Sequence, residues 1–348
     1  MSQLRGVWLS NVDSRVLYSR DAIASSMDFL AQTGFNAVFP VVWNKALTLF
    51  PSKTMLQTFG REIDPAHKGR DPLKEVIIEA HRVGLKVIPW FEYGFVSSYQ
   101  QNGGPLLAKK PEWAARDSKG NLLVKNGFYW MNSLDSEVQN FLLEIILEVV
   151  RNYDVDGIQG DDRFPALPSQ GGYDEKTLKR YYQEFNCSPH LCHHNPQWLK
   201  WRADILTDFL SRLYSEVKAI KPNVLVSISP GIYNWCYREY LQDYPTWMEK
   251  EIVDLIHPQL YRRDFPSYQK LVDRLVKLHC KNGQLSQIFP GILIKVGTYR
   301  ITEADLLRAI AYNREMNING EILFFYEGLR ENNDALAKAL RQASYASL

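Results

Sequence analysis

Val155-Asp156-Gly157-Ile158-Gln159-Gly160-Asp161-Asp162-Arg163-Phe164-Pro165 is a short apolar run that ends abruptly in two acids. A segment with a 3.6-residue apolar period lies before it, near 137–152, and another lies after it, near 198–220. A buried strand between two helices has this pattern. Working outward, runs of the same kind occur at 6–9, 37–42, 86–92, 225–229, 255–261, 288–294 and 321–326, which with 157–161 makes eight. Helical segments alternate with them near 21–33, 72–83, 137–152, 198–220, 239–250, 267–281, 303–316 and 331–343. Thr302 ahead of Glu303 and Asp305 reads as an N-cap, Pro72 after Asp71 as a helix start, and Gly34 and Gly84 as left-handed stops.

Eight strand–helix units in strict order predict an α/β fold, a (β/α)8 TIM barrel, rather than an open doubly wound sheet. The Gly-x-Gly-x-x-Gly fingerprint of the latter is missing. The connections after strands 2, 3 and 4 (44–70, 94–136 and 163–197) are too long for plain βα turns. Long loops at the carboxyl end of a barrel are where clefts are built. With no repeat or linker composition, residues 1–348 read as one catalytic domain.

The 348 residues are 45% hydrophobic and 23% charged, as in ordinary globular proteins. Forty-one Lys and Arg against 39 Asp and Glu give a net charge of +2, too little for a phosphate-neutralising face, so no nucleic-acid partner is expected and a neutral ligand fits better. No export signal or membrane-spanning run is present, which predicts a cytoplasmic protein with no membrane partner. Cys187, Cys192, Cys236 and Cys280 are then expected as free thiols. No sequence feature bears on oligomeric state.

Catalytic groups of a barrel sit where its strands end. Those positions hold Asn11 and Asp13, Trp43 and Asn44, Trp90 and Glu92, Asp161 and Asp162, Gln259 and Tyr261, and Tyr326 and Glu327. Carboxylates among aromatic and amide side chains are the inventory of a glycoside-processing cleft, where one carboxyl protonates the leaving oxygen and another attacks or activates water. Two-residue alternation puts Gln159 and Asp161 on one face. Adjacent acids in a confined site raise one another's pKa. The competing structural reading pairs Asp161 with Arg163 and leaves Asp162 as a turn cap. For Trp43, Trp90 and Tyr261 the competing reading is packing, and for Glu92 a buried ion pair. Cys187 to His194 carries two Cys and three His but has no second cluster to complete a closed zinc site, so neither metal nor cofactor is expected.

Arg5-Gly6-Val7-Trp8-Leu9-Ser10-Asn11-Val12-Asp13-Ser14-Arg15, 35–45, the Asp156 to Pro165 motif, Trp201-Arg202, Ser227-Ile228-Ser229-Pro230, Pro258-Gln259-Leu260-Tyr261 and Gly320-Glu321 together resemble the glycosyl-hydrolase-like family 10. That resemblance implies a (β/α)8 barrel that hydrolyses glycosidic bonds, with bacterial relatives acting on cell-wall glycan strands. The Asp156–Asp161 spacing is also similar to the fourth-strand motif of retaining barrel glycosidases, which implies Asp161 as nucleophile or transition-state stabiliser. Asp162 and Glu92 compete for the acid/base role, with Glu327 in reserve. Asn11, Asp13, Trp43, Asn44, Trp90, Gln259, Tyr261 and Tyr326 would line sugar subsites. The expected activity is hydrolysis of an α-glucan or peptidoglycan-type glycan. A barrel that binds glycans without cleaving them is the leading alternative, followed by a metal-dependent hydrolase.

Overall fold

The computed structural model describes residues 3–279 and 283–345. Eight parallel segments carry the fold: β1 (Leu4–Leu9), β2 (Ala37–Pro40), β3 (Lys86–Val87), β4 (Gly157–Gly160), β5 (Leu225–Ile228), β6 (Leu255–Ile256), β7 (Gly291–Leu293) and β8 (Gly320–Phe324). Five of them form one sheet in the order β7-β8-β1-β2-β3, and β6-β5-β4 form a second. The two sheets are joined at both margins. Gln159 N–H donates to the Pro89 carbonyl and Phe91 N–H to the Gln159 carbonyl, each at 2.8 Å. On the other side Phe289 N–H donates to Ile256 at 3.0 Å and Gly291 N–H to Pro258 at 2.9 Å. Parallel hydrogen bonding can therefore be followed from β1 through all eight segments and back to β1.

The principal helices that follow these strands are α1 (Arg20–Thr33), α2 (Pro72–Arg82), α3 (Ser136–Asn152), α4 (Pro196–Ile220), α5 (Tyr244–Glu249), α6 (Phe265–His279), α7 (Glu303–Glu315) and α8 (Ala335–Gln342). Their ends follow local chemistry. Ser19, Asp71 and Thr302 each accept a backbone N–H of the first turn, and Gly34 closes α1 at φ 95°. Gly84 stands at φ 78° one place beyond the cap of α2. The segment expected as one helix at 239–250 is two short ones, Trp235–Tyr240 and Tyr244–Glu249, because Leu241 is left-handed (φ 62°). Of the segment expected at 267–281, the described part is helical through His279, and Cys280 and Lys281 lie outside the described residues.

The long connections carry structure of their own. After β2 come a hairpin (Trp43–Asn44 with Leu47–Thr48) and the helix Lys53–Phe59. After β3 comes a three-stranded antiparallel sheet of Val96–Tyr99, Val124–Lys125 and Phe128–Trp130. The connection after β4 is anchored by Arg202 on α4, a buried guanidinium whose N–H groups donate to the carbonyls of Ser169, Gly171 and His193. Burial with no carboxylate beside it pushes this group down to about 9. The buried apolar side chains form one cluster between strands and helices. No described helix is long and apolar enough to cross a membrane.

Candidate active site

Strand alternation sets the floor of the site. Gln159 is fully buried, and its Oε1 accepts the indole N–H of Trp8 at 2.6 Å. Asp161, two residues on, faces the same way and is 1% exposed. The chain then turns so that Arg163 folds back. Its backbone N–H donates to Asp161 Oδ1 at 2.9 Å, and its guanidinium donates to Asp161 Oδ2 at 3.1 Å. The same guanidinium nitrogen reaches Glu92 Oε1 at 3.4 Å, and Nε stands 3.6 Å from Asp162 Oδ1. Three carboxylates thus share one cation. Aromatic rings enclose it, the guanidinium lying 5.1 Å from the Phe128 ring and 5.8 Å from Tyr93.

Close approach between the third and fourth connections makes this arrangement possible. Gly94 adopts φ 47°, and a Cβ on it would sit 2.1 Å from the Arg163 carbonyl oxygen. Only glycine lets the two backbones meet there. Glu92 is held from the other side, where Asn44 donates to its Oε2 at 2.8 Å and to Asn11 Oδ1 at 2.7 Å. Gln242 supports the turn by donating to the Asp161 carbonyl at 2.8 Å.

A pit of about 90 Å³ opens above these groups, lined by Trp8, Trp90, Glu92, Asp161, Asp162, Arg163, Ser229, Gln259, Tyr261 and Phe324. It adjoins a cleft of about 740 Å³ built from the first, second, third and seventh connections together with Arg163 and the end of β8, and Glu92, Arg163 and Phe324 border both spaces. Burial pushes the Glu92 carboxyl above its ordinary range and the Asp162 charge adds to this, against the pull of Arg163. Asp161 is raised for the same reasons. Burial works against the charge of Arg163, but the three acids outweigh it and raise its pKa. Burial and the same acids lift the Tyr261 hydroxyl. One guanidinium balances only one of three negative charges, so the cluster keeps a proton at pH values where separate carboxylates have lost theirs.

The structure brings Glu92, Asp161, Asp162, Trp90, Gln259 and Tyr261 to the pit, and Asp13 and Asn44 to the cleft wall. Asn11 stands behind Asn44 as its acceptor. Three expected residues lie elsewhere. Trp43 is fully buried, with its indole N–H on the Gly94 carbonyl and its ring edge-on to Phe141, so it packs the core and offers no platform. Tyr326 points toward α1, where its hydroxyl accepts from Ser26 at 2.8 Å. Glu327 accepts from Ser14 at 2.7 Å and borders neither space. The pairing of Asp161 with Arg163, the structural alternative, is present, but the groove beside it is open. Arg163 as the hub was visible in sequence only as a neighbouring cation. Gly94, Phe128, Arg61 and Lys109 carried no local signal, because long connections bring them in. Among the described residues no group of three or more His, Cys, Asp and Glu is arranged to hold a metal ion, the three acids here being gathered on a guanidinium.

The model of the family described as Glycosyl hydrolase-like 10 matches residues 3–310. Among curated proteins, the chain is 27% identical over 402 residues to glycosyl hydrolase DigH of Escherichia coli (strain K12), spanning 99% of this chain and 88% of that one. It is 24% identical over 302 residues to glycosyl hydrolase YngK of Bacillus subtilis (strain 168), spanning 74% and 54%. The fold is similar to that of the PgaB (BpsB) glycoside hydrolase domain from Bordetella bronchiseptica, with TM-score 0.72, 13% identity, and 97% and 99% of the two chains covered. It is also similar to α-L-fucosidase isoenzyme 2 from Paenibacillus thiaminolyticus, with TM-score 0.68, 19% identity, and 99% and 49% covered.

Proposed function

This chain belongs to the glycosyl hydrolase-like 10 family, and from that premise we propose that it is a glycoside hydrolase: a single (β/α)8 barrel that cleaves an oligo- or polysaccharide at the pit above Arg163. The observation that carries this reading is the convergence of Glu92, Asp161 and Asp162 on one guanidinium at the floor of an open cleft. Such a cluster holds a proton donor and an ionised carboxylate side by side, which glycosidic cleavage requires.

In this reading the retained proton rests on Glu92. Burial raises Asp161 as well, but two Arg163 donors favour its anion, whereas Glu92 receives one longer contact from Arg163 beside the neutral Asn44 amide and borders the cleft, where a leaving oxygen can reach it. Glu92 gives its proton to the leaving oxygen as the glycosidic bond breaks. Asp161 takes the anomeric carbon, and water, deprotonated by Glu92, then displaces Asp161. Glu92 Oε1 and Asp161 Oδ2 lie 3.4 and 3.1 Å from the same nitrogen. Their separation cannot exceed about 6.5 Å, the lower edge of the inverting range, which favours a retaining outcome. Asp162 is the competing donor.

The Asp161–Arg163 pair also favours a second reading, a barrel that binds glycans without cleaving them. Product chromatography after incubation with α-glucans, chitin fragments and denuded peptidoglycan strands separates the two. Hydrolysis by the unaltered protein, lost in Asp161→Asn, supports the enzyme, and NMR of the first anomer released tests retention. Binding with no product from any of the three substrates supports the non-catalytic reading.

A further inference from the structure

Glu92 is held between an amide and a cation, and the two hold different oxygens. Asn44 Nδ2 donates to Oε2 at 2.8 Å, and the Arg163 guanidinium donates to Oε1 at 3.4 Å. Asn44 is itself fixed. Its hairpin is tied to the Glu92 segment by the Tyr93 N–H on the Trp43 carbonyl at 3.0 Å and by the Trp43 indole on the Gly94 carbonyl at 2.9 Å. The second hydrogen of the same amide nitrogen goes to Asn11 Oδ1 at 2.7 Å, and both asparagines are buried. The other titratable groups that act on Glu92 are Asp161, Asp162, Lys45, Tyr93 and Tyr261. Among the described residues none of these five is hydrogen-bonded to either Glu92 oxygen, so the amide and the guanidinium alone direct its proton.

A neutral carboxyl has one carbonyl oxygen and one hydroxyl. A proton on Oε2 would set donor against donor at the 2.8 Å contact with Asn44. The amide could receive it only by turning over, which would press Asn44 Oδ1 against Asn11 Oδ1 unless Asn11 turned as well. We infer that Asn11 and Asn44 are a positioning pair that confines the retained proton of Glu92 to Oε1, the oxygen that shares Arg163 with Asp161 at the pit. The inference rests on Glu92 as proton donor in the reading above, and deepens it by naming the atom that carries the proton and the residues that keep it there. Oε1–H gives its proton to the leaving oxygen, which takes the electron pair of the breaking glycosidic C–O bond. The negative charge then left on the carboxylate spreads to Oε2, where the Asn44 N–H stabilises it.

Carboxyl-carbon NMR of protein isotope-labelled at glutamate reads the protonation of Glu92 without any substrate, its resonance being identified by its loss in Glu92→Gln. Asn44→Leu removes a donor that favours the anion and should move the Glu92 midpoint up by about one pH unit or more. Asn11→Leu touches no atom of Glu92, yet it frees the Asn44 amide to turn and accept a proton from Oε2, so the midpoint should rise here too. Side chains that only pack would leave it in place. On chitin oligosaccharides, denuded peptidoglycan strands and α-glucans, Asn11→Leu should lower kcat at least about tenfold with KM within about twofold, and carry the alkaline limb of the pH profile up with the NMR midpoint. An unchanged midpoint in either folded variant overturns the inference. Should neither variant fold, infrared difference spectra of the unaltered protein against Glu92→Gln, recorded below the midpoint, decide the matter. A Glu92 carbonyl stretch lowered by a hydrogen bond supports the pair, and the stretch of a free carbonyl overturns it. Shifted midpoints in a protein that cleaves none of the three substrates would sink the hydrolase reading and leave the proton placement standing.

Discussion

Replacing Arg163 with glutamine removes the cation that touches all three acids. Deleting one partner of a buried ion pair costs about 3–5 kcal/mol. Burial here is deep at Asp161, whose side chain is 1% exposed, and shallower at Asp162, at 34%. The lower part of that range applies, and losing the guanidinium from the Phe128 ring adds about 0.5–1 kcal/mol. A loss of about 4 kcal/mol at pH 7 follows, or about 5 °C in melting temperature for 348 residues at about 2.1 cal/mol/K each. The pH dependence is the sharper test. Glu92 and Asp161 are raised in the folded state, so their contribution is fully present below the unfolded values near pH 4 and is lost as pH rises through the folded values. Without Arg163 the folded values rise further and the loss deepens. Thermal melts from pH 4 to pH 8 should show the gap between variant and parent shrinking to less than about half at the acid end, where neutral carboxyls need no counterion. An equal gap at both ends would mean that Arg163 only packs, and the shared-proton account would fail.

Glu92→Gln removes a buried acid whose raised pKa signals a folded-state penalty. It should raise the melting temperature at pH 7 while turnover falls by orders of magnitude, and a lower melting temperature at pH 7 would count against the assignment. Gly94→Ala drives a Cβ into the Arg163 carbonyl at φ 47°. Denaturant titration should show a loss of about 2 kcal/mol or more, and assays a fall in activity with every candidate catalytic side chain intact; parental values in both would refute the close-approach argument. Gln159→Leu strands the Trp8 indole N–H and should cost about 1–3 kcal/mol by urea unfolding. An unchanged midpoint would mean that water satisfies the indole.

Much of the fold is legible in the sequence because burial on both faces forces continuous apolar runs. Each of the eight expected runs overlaps a parallel segment, although β3 and β6 keep ladder pairing over only two residues each and continue as single bridges at Trp90 and Gln259. The short elements of the long connections escaped notice. Trp43–Asn44 pairs with Leu47–Thr48 through a Lys45-Ala46 turn with no Asn-Gly signal, and Val96–Tyr99 pairs with Phe128–Trp130 only across the long stretch 100–127. The Asn126-Gly127 turn between Val124–Lys125 and Phe128–Trp130 was a legible hairpin signal that the apolar pattern overshadowed. The helix Glu175–Phe185 buries little more than Thr177 and Tyr181. Strand alternation located Asp161, and Glu92 follows the end of its apolar run. Trp43 and Tyr326 misled because a strand end does not tell which way the next side chain turns, and here both turn into packing. The basic side chains of the cleft were invisible for a different reason: Arg61 and Lys109 are 48 residues apart, and only the folded connections bring both to its lining.

With Glu92 as proton donor and Asp161 as nucleophile over a bound saccharide, as we propose, removing either carboxyl must stop hydrolysis. Reducing-end release from chitin oligosaccharides, denuded peptidoglycan strands and α-glucans should be compared for the unaltered protein, Glu92→Gln, Asp161→Asn and Asp162→Asn. The unaltered protein should hydrolyse at least one substrate, and release should be abolished by the first two substitutions and only reduced by the third. Undiminished release by Asp161→Asn, with its melting curve intact, would contradict the proposed roles.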